Sequence, residues 1–151
     1  SNAKDEEFVC ISCVEEVRYS FVSHLSEALR RKGINNVVVD VDIDDLLFKE
    51  SQAKIEKAGV SVMVLPGNCD PSEVWLDKFA KVLECQRNNK DQAVVSVLYG
   101  DSLLRDQWLS ELDFRGLSRI HQSRKECSDS ILVEEIVRDV YETHFYVGRI
   151  G

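Results

Sequence analysis

Three sets of residues in this sequence have types and spacings that could support chemistry. Cys10 and Cys13 form a Cys-x-x-Cys pair, acidic residues crowd positions 40 to 50, and histidines stand at 24, 121 and 144. A cysteine pair suits zinc, but neither a second close pair nor a histidine pair follows it. Residues three apart in a strand also point to opposite faces. We therefore expect two small, buried hydrophobic side chains here, and no metal.

The acidic stretch raises a second possibility, a site for a divalent cation. Its members are Asp40, Asp42, Asp44, Asp45 and Glu50. The stretch lacks the glycine and the ligand spacing of a calcium loop. A run of like charges is most often a solvated loop, so we favour that interpretation.

Motifs for phosphate binding and for nucleophilic catalysis are also missing. Residues 12–16, after the first apolar run, contain no glycine, which excludes Walker and dinucleotide fingerprints. The third apolar run ends in Leu65-Pro66, where a phosphate-accepting receiver would need an aspartate. No Gly-x-Ser-x-Gly elbow occurs. We expect no cofactor.

Composition limits the class of protein. The 151 residues are 44% apolar and 30% charged, which suits one globular domain. Twenty-seven acids against 19 bases give a net charge of -8, which argues against binding nucleic acid or an anionic membrane through the overall field. Residues 1–3 look like an expression scar. Cysteines within apolar segments favour reduced thiols and an intracellular setting.

Short apolar runs alternate with helical patterns along the whole chain. The runs predict strands over 8–13, 36–40, 60–65, 93–99 and 117–121. The helical patterns cover 17–31, 50–58, 70–85, 102–112 and 129–143, with Asp70 capping the third and Asp129 or Ser130 the last. Near-continuously apolar strands indicate a parallel sheet covered on both faces. The expected fold is α/β, a flavodoxin-like, doubly wound, five-stranded parallel sheet flanked by helices.

Four stretches resemble the Toll/interleukin-1 receptor (TIR) domains of plants. Residues 21–34 read FVSHLSEALRRKGI, 55–64 read IEKAGVSVMV, 75–85 read WLDKFAKVLEC and 132–140 read LVEEIVRDV. Their order and spacing match those of the family along nearly the whole chain. The resemblance implies that residues 4–151 are a TIR domain. It also implies an N-terminal piece of a larger intracellular immune receptor, located in nucleus and cytoplasm.

Many plant TIR domains hydrolyse NAD with a glutamate on the third helix. The flanking residues align Lys78 with that glutamate. A lysine is protonated at neutral pH, so it cannot accept a proton and would repel the nicotinamide cation. The resemblance therefore implies a non-catalytic domain. The alternative is a weak NAD hydrolase in which Glu73 or Asp77 takes over the role.

The remaining implied function is binding to another TIR domain. Plant TIR domains place a Ser-His pair of the first helix at a contact that the first and last helices form; the corresponding interface residues here are Ser23, His24, Glu27 and Arg30. Helical geometry turns Ser23 away from the apolar stripe. We expect a heterodimer with a companion receptor's TIR domain, and a weaker homodimer, that restrains defence signalling.

A second contact surface of the family would involve Trp108, Arg115 and Arg119. The alternative for Trp108 is that its side chain packs on the sheet. A nucleic-acid-binding TIR domain is a further alternative, and the net charge of -8 argues against it.

Overall fold

The computed structural model describes residues 8–41, 48–65, 73–88, 92–100 and 104–142, with side chains left out for 48–52 and 73–78. The expected helix start at Asp70 lies outside these ranges. Three members of the acidic stretch, Asp42, Asp44 and Asp45, also lie outside them, and of Glu50 only the backbone is described.

Five parallel strands form one sheet in the order β2-β1-β3-β4-β5. The strands are β1 Val9–Cys13, β2 Val37–Val41, β3 Val60–Leu65, β4 Ala93–Leu98 and β5 Ile120–Gln122. This 2-1-3-4-5 order is that of a flavodoxin-like doubly wound fold, so the predicted fold class is confirmed. All residues of β1 and β3 are buried, because helices cover both faces of the sheet.

The helices divide between the two faces of the sheet. They are α1 Ser23–Arg31, α2 Phe48–Lys57, α3 Glu73–Asn88, α4 Arg105–Phe114 and α5 Asp129–Val140. α1 and α5 pack on one face through an apolar cluster that includes Leu25, Leu29 and Ile136. α2, α3 and α4 supply Ile55, Phe79 and Leu112 to a second cluster on the other face.

The sequence pattern predicts one continuous α-helix over 17–31, but the structure divides this segment into three parts. A 3-10 turn, Glu15–Val17, leads into a π-helical turn, Arg18–Val22, and only then does α1 begin. A π turn inserts an extra residue into the helical repeat. Phe21 and Val22, neighbours in sequence, are consequently both buried.

The ends of two later elements also differ from the prediction. β5 begins at Ile120, whereas Leu117 is buried where α4 ends and its N–H donates to the carbonyl of Leu112 at 2.9 Å. The apolar character of Leu117 therefore reflects packing against a helix end. Ser128, not Asp129 or Ser130, is the N-cap of α5.

Asp40 corrects the expectation of a solvated acidic loop. The residue lies inside β2 and is 4% exposed, with the Nζ of Lys54 4.0 Å from its Oδ1. Cys10 and Cys13 behave as expected for buried hydrophobes, since neither is exposed to solvent.

Candidate interaction surface

The outer side of α1 holds the four residues predicted to contact another TIR domain. The inward side of the segment buries Phe21, Leu25 and Leu29. Of the predicted contact residues, Ser23, Glu27 and Arg30 are exposed, and His24 is half-buried. The amphipathic pattern of the helix thus brings these side chains to one accessible side, as the sequence predicts.

Helix α5 lies beside α1, so the outer sides of the two helices form one continuous surface, here called the α1/α5 surface. A groove of about 430 Å³ runs between them, and Arg31, Lys32, Glu134 and Arg138 contribute to its walls. The ammonium of Lys32 lies 4.7 Å from the ring centroid of Tyr141, just beyond the end of α5. Basic and acidic side chains therefore alternate on this surface, which contrasts with the net charge of -8 of the chain.

Charge pairing on the exposed side of α1 is limited. Glu27 accepts a hydrogen bond of 3.5 Å from the guanidinium of Arg31, one helical turn later. Arg30 has no ion pair with any residue that the structure describes. A second protein that covers this surface would find at least one guanidinium available for a new contact.

The three residues of the second predicted surface differ in exposure, since Arg115 and Arg119 are exposed and Trp108 is buried. Trp108 is 7% exposed, and its ring meets that of Phe79 edge-on at 5.9 Å, so its side chain belongs to the core. This burial agrees with the alternative given for Trp108 above, that its side chain packs on the sheet. Arg115 is paired with Glu111 at 2.6 Å, and Arg119 with Asp139 at 3.0 Å.

Two features of this region have no clear signal in the sequence. Asp139 on α5 accepts contacts from both Arg119 and the Nε2 of His121, the latter at 2.7 Å. Phe114, at the end of α4, is 86% exposed. Neither follows from the sequence pattern. The apolar residues of α4 form no single stripe. The partners of Asp139 lie 20 and 18 residues earlier, just before and within β5.

Tyr99 joins three parts of the fold at the end of β4. Its hydroxyl donates a hydrogen bond of 2.6 Å to Asp129, the first residue of α5. Its ring stacks on Phe21 of the π-helical turn at 4.2 Å. Burial, together with this hydrogen bond to a carboxylate, raises the pKa of Tyr99 from 10.0 to about 12. Sequence reasoning missed this contact, since it assigned Tyr99 to the strand.

The residue aligned with the catalytic glutamate, Lys78, lies on α3, and its side chain is outside the described part of the structure. The same holds for the side chains of Glu73 and Asp77, the two candidate substitutes. Within the described residues, no group of three or more histidine, cysteine, aspartate or glutamate side chains could hold a metal ion. No helix within the described ranges is long and apolar enough to cross a membrane.

The fold and the exposed α1/α5 surface define an α/β domain of flavodoxin-like topology with a candidate protein contact on its first and last helices. Residues 8–108 match the TIR domain family. The chain belongs to the TIR domain family.

Comparison with known proteins agrees with this assignment. The chain is 97% identical to disease resistance protein RRS1 of Arabidopsis thaliana and 61% identical to RRS1B of the same plant, over 98% of its own length in each case. It spans 11% and 10% of those two proteins. The TIR domains of the activated Roq1 resistosome superpose with a TM-score of 0.65 at 21% identity, covering 89% of this chain and 99% of that one, and show the shared fold.

Proposed function

We propose that this TIR domain is a protein-interaction module of a plant immune receptor. It pairs with the TIR domain of a companion receptor and restrains defence and cell-death signalling until the receptors are triggered. The names of the similar proteins, which are disease resistance proteins, support the immune role. A nuclear and cytoplasmic location, with no membrane or nucleic-acid partner for this domain, is part of the proposal.

The observation that supports a paired contact most directly is the exposed Ser23 next to half-buried His24 on α1. A small side chain on the outer side of a helix allows a second helix to approach closely, and half-buried His24 can stack or hydrogen-bond across such a contact. A two-fold interface uses the same patch on both chains. A related TIR domain can therefore replace one copy and form a heterodimer with the same geometry.

Light scattering tests this proposal. The domain is measured alone and mixed one-to-one with the companion receptor's TIR domain, as wild type and as Ser23→Ala/His24→Ala. Lys57→Ala is the matched control, since Lys57 is exposed on α2, on the opposite face of the sheet. We expect a one-to-one complex that the double variant loses and the control keeps.

Two results would contradict the proposal. A monomer that the partner leaves unchanged removes the interaction role altogether. A heterodimer that forms without displacing the homodimer means that the two contacts use different surfaces, because a single shared patch cannot serve both at once.

We also infer that the domain is not an NAD hydrolase. The support is the alignment of Lys78 with the glutamate of catalytic relatives, since a protonated amine can neither accept a proton nor tolerate the nicotinamide cation nearby. Nicotinamide release from NAD, measured against a buffer blank and a catalytic TIR domain, should stay at the blank level. Slow release that Glu73→Gln or Asp77→Asn abolishes would instead establish the weak hydrolase.

A further inference from the structure

A second, smaller groove lies on the other side of α1, away from α5. Its volume is about 210 Å³, and the described residues that line it are Arg18, Tyr19, Ser23, Ser26, Arg30 and Val39. The first two belong to the π-helical turn, the next three to α1, and Val39 to β2. Because β2 is the edge strand of the sheet, the groove sits where the helix overhangs that edge.

Ser26 gives this groove a feature that a solvated helix surface does not have. Ser26 is among the lining residues although it is only 4% exposed, and its buried hydroxyl has no hydrogen-bond partner among the residues that the structure describes. A buried hydroxyl without a partner is unfavourable, and native structures rarely leave one unsatisfied. An anion in the groove would remove this penalty once the Ser26 side chain turns its hydroxyl toward the anion.

The charges around the hydroxyl are positive. Arg18 and Arg30 both line the groove, and none of its lining residues within the described ranges is acidic. Arg30 has no ion pair within the described part of the chain. Arg18 has a long contact of 3.8 Å with Glu15, and its guanidinium lies 5.0 Å from the ring centroid of its neighbour Tyr19. In a chain of net charge -8, two guanidinium groups that share a groove with no carboxylate from the described part of the chain form a local exception.

We propose that this groove binds a tetrahedral oxyanion of the phosphate class. The guanidinium groups of Arg18 and Arg30 supply the charge-assisted donors that suit such an anion. The hydroxyls of Ser23 and Ser26, both on α1, supply neutral hydrogen-bond donors. The small volume fits a single phosphate group with a few waters. The site shares Ser23 and Arg30 with the proposed dimer contact, but the groups proposed to hold the anion all belong to one chain.

An NMR titration of the isotope-labelled domain with inorganic phosphate tests the proposal. The matched titration uses sodium chloride at equal ionic strength, and the protein is kept dilute enough to remain monomeric. We expect saturable shifts of the amide signals of Arg18, Ser23, Ser26 and Arg30 with phosphate only. Arg30→Gln should weaken phosphate binding about tenfold, as loss of a charge-assisted hydrogen bond does.

Three further variants make the test specific. Arg18→Gln should also weaken binding, and Ser26→Ala should weaken it about threefold, the usual effect of one neutral hydrogen bond. Arg87→Gln is the matched control, because it removes the same charge from an exposed position on α3. The control should bind phosphate within about twofold of wild type.

Thermal unfolding gives a readout that does not depend on signal assignment. Phosphate should raise the melting temperature of the wild type more than chloride does, and should raise that of Arg30→Gln less. Equal effects of phosphate and chloride, or equal phosphate affinity in all four variants, would overturn the proposal. Since both readouts concern the monomer, such a failure is distinct from a failure of the dimer test.

Discussion

Trp108 and Phe114 stand on the same short helix but contribute differently to stability. Trp108 is 7% exposed and packs against Phe79, whereas Phe114 is 86% exposed. We expect Trp108→Ala to lower the free energy of unfolding by about 3–5 kcal/mol, since it removes a buried aromatic and leaves a cavity. Phe114→Ala should change it by less than about 0.5 kcal/mol. Urea denaturation followed by circular dichroism measures both, and equal losses would contradict the burial of Trp108.

Tyr99 should make the stability of the domain depend on pH in the alkaline range. Its pKa rises from 10.0 in the unfolded chain to about 12 in the fold, through burial and the hydrogen bond to Asp129. A pKa that is raised on folding stabilises the protein fully below pH 10 and stops doing so as the pH rises through 12. Unfolding measured between these pH values should therefore show a loss that Tyr99→Phe reduces. Tyr19→Phe, at an exposed position, should keep the wild-type slope.

Side-chain exposure was predictable for some residues and not for others. Helical periodicity alone places Ser23 opposite Leu25, and the structure exposes the first and buries the second. The burial of Asp40 was not predictable in this way, because a carboxylate at the end of a predicted strand indicates the start of a solvated loop. The ammonium of Lys54, 4.0 Å from the Oδ1 of Asp40, comes from a helix 14 residues later and cannot be placed from sequence spacing.

At the level of elements, a glycine, Gly33, ends helix α1. Gly33 adopts φ 98°, a left-handed conformation that favours glycine. Its N–H donates to the carbonyl of Arg30 at 2.9 Å, and the N–H of Ile34 donates to that of Leu29 at 3.0 Å. These two bonds form a Schellman cap, with Ile34 buried behind it.

The conformation of Gly33 predicts the effect of replacing it. A Cβ added there would meet no atom within 4 Å, so the cost of a substitution comes from the backbone alone. Gly33→Ala should destabilise the domain by about 1–2 kcal/mol. Gly33→Asn should cost less, since asparagine tolerates the left-handed region better. Chemical denaturation of the two variants checks this order, and equal stabilities would contradict the cap.

The existence of the elements was easier to predict than their ends. The positions of β1, β3 and β4 are predictable because helices cover both faces of the sheet, which makes these strands nearly continuously apolar. The ends depend on contacts between distant parts of the chain. The π-helical turn before α1 allows Phe21 to stack on Tyr99, 78 residues later, and nothing in the local sequence indicates that partner.

At the scale of the whole molecule, the net negative charge of the domain opposes the proposed association of two copies. Each domain has a net charge of -8, so two copies repel at long range. The α1/α5 surface itself alternates basic and acidic side chains, including Arg31, Lys32 and Glu134. Salt screens long-range repulsion between the domains, whereas desolvated pairs within a contact are screened much less.

The proposed homodimer should therefore tighten when salt is added. Raising sodium chloride from about 50 mM to about 300 mM shortens the screening length well below the size of the domain, and we expect the dissociation constant to fall about threefold. Sedimentation equilibrium measures it, with Ser23→Ala/His24→Ala as the variant that stays monomeric at both concentrations. Weaker association at high salt would mean that complementary charges, such as Glu27 against Arg30 of the second copy, dominate the contact. The repulsion between the two acidic domains would then be the smaller effect.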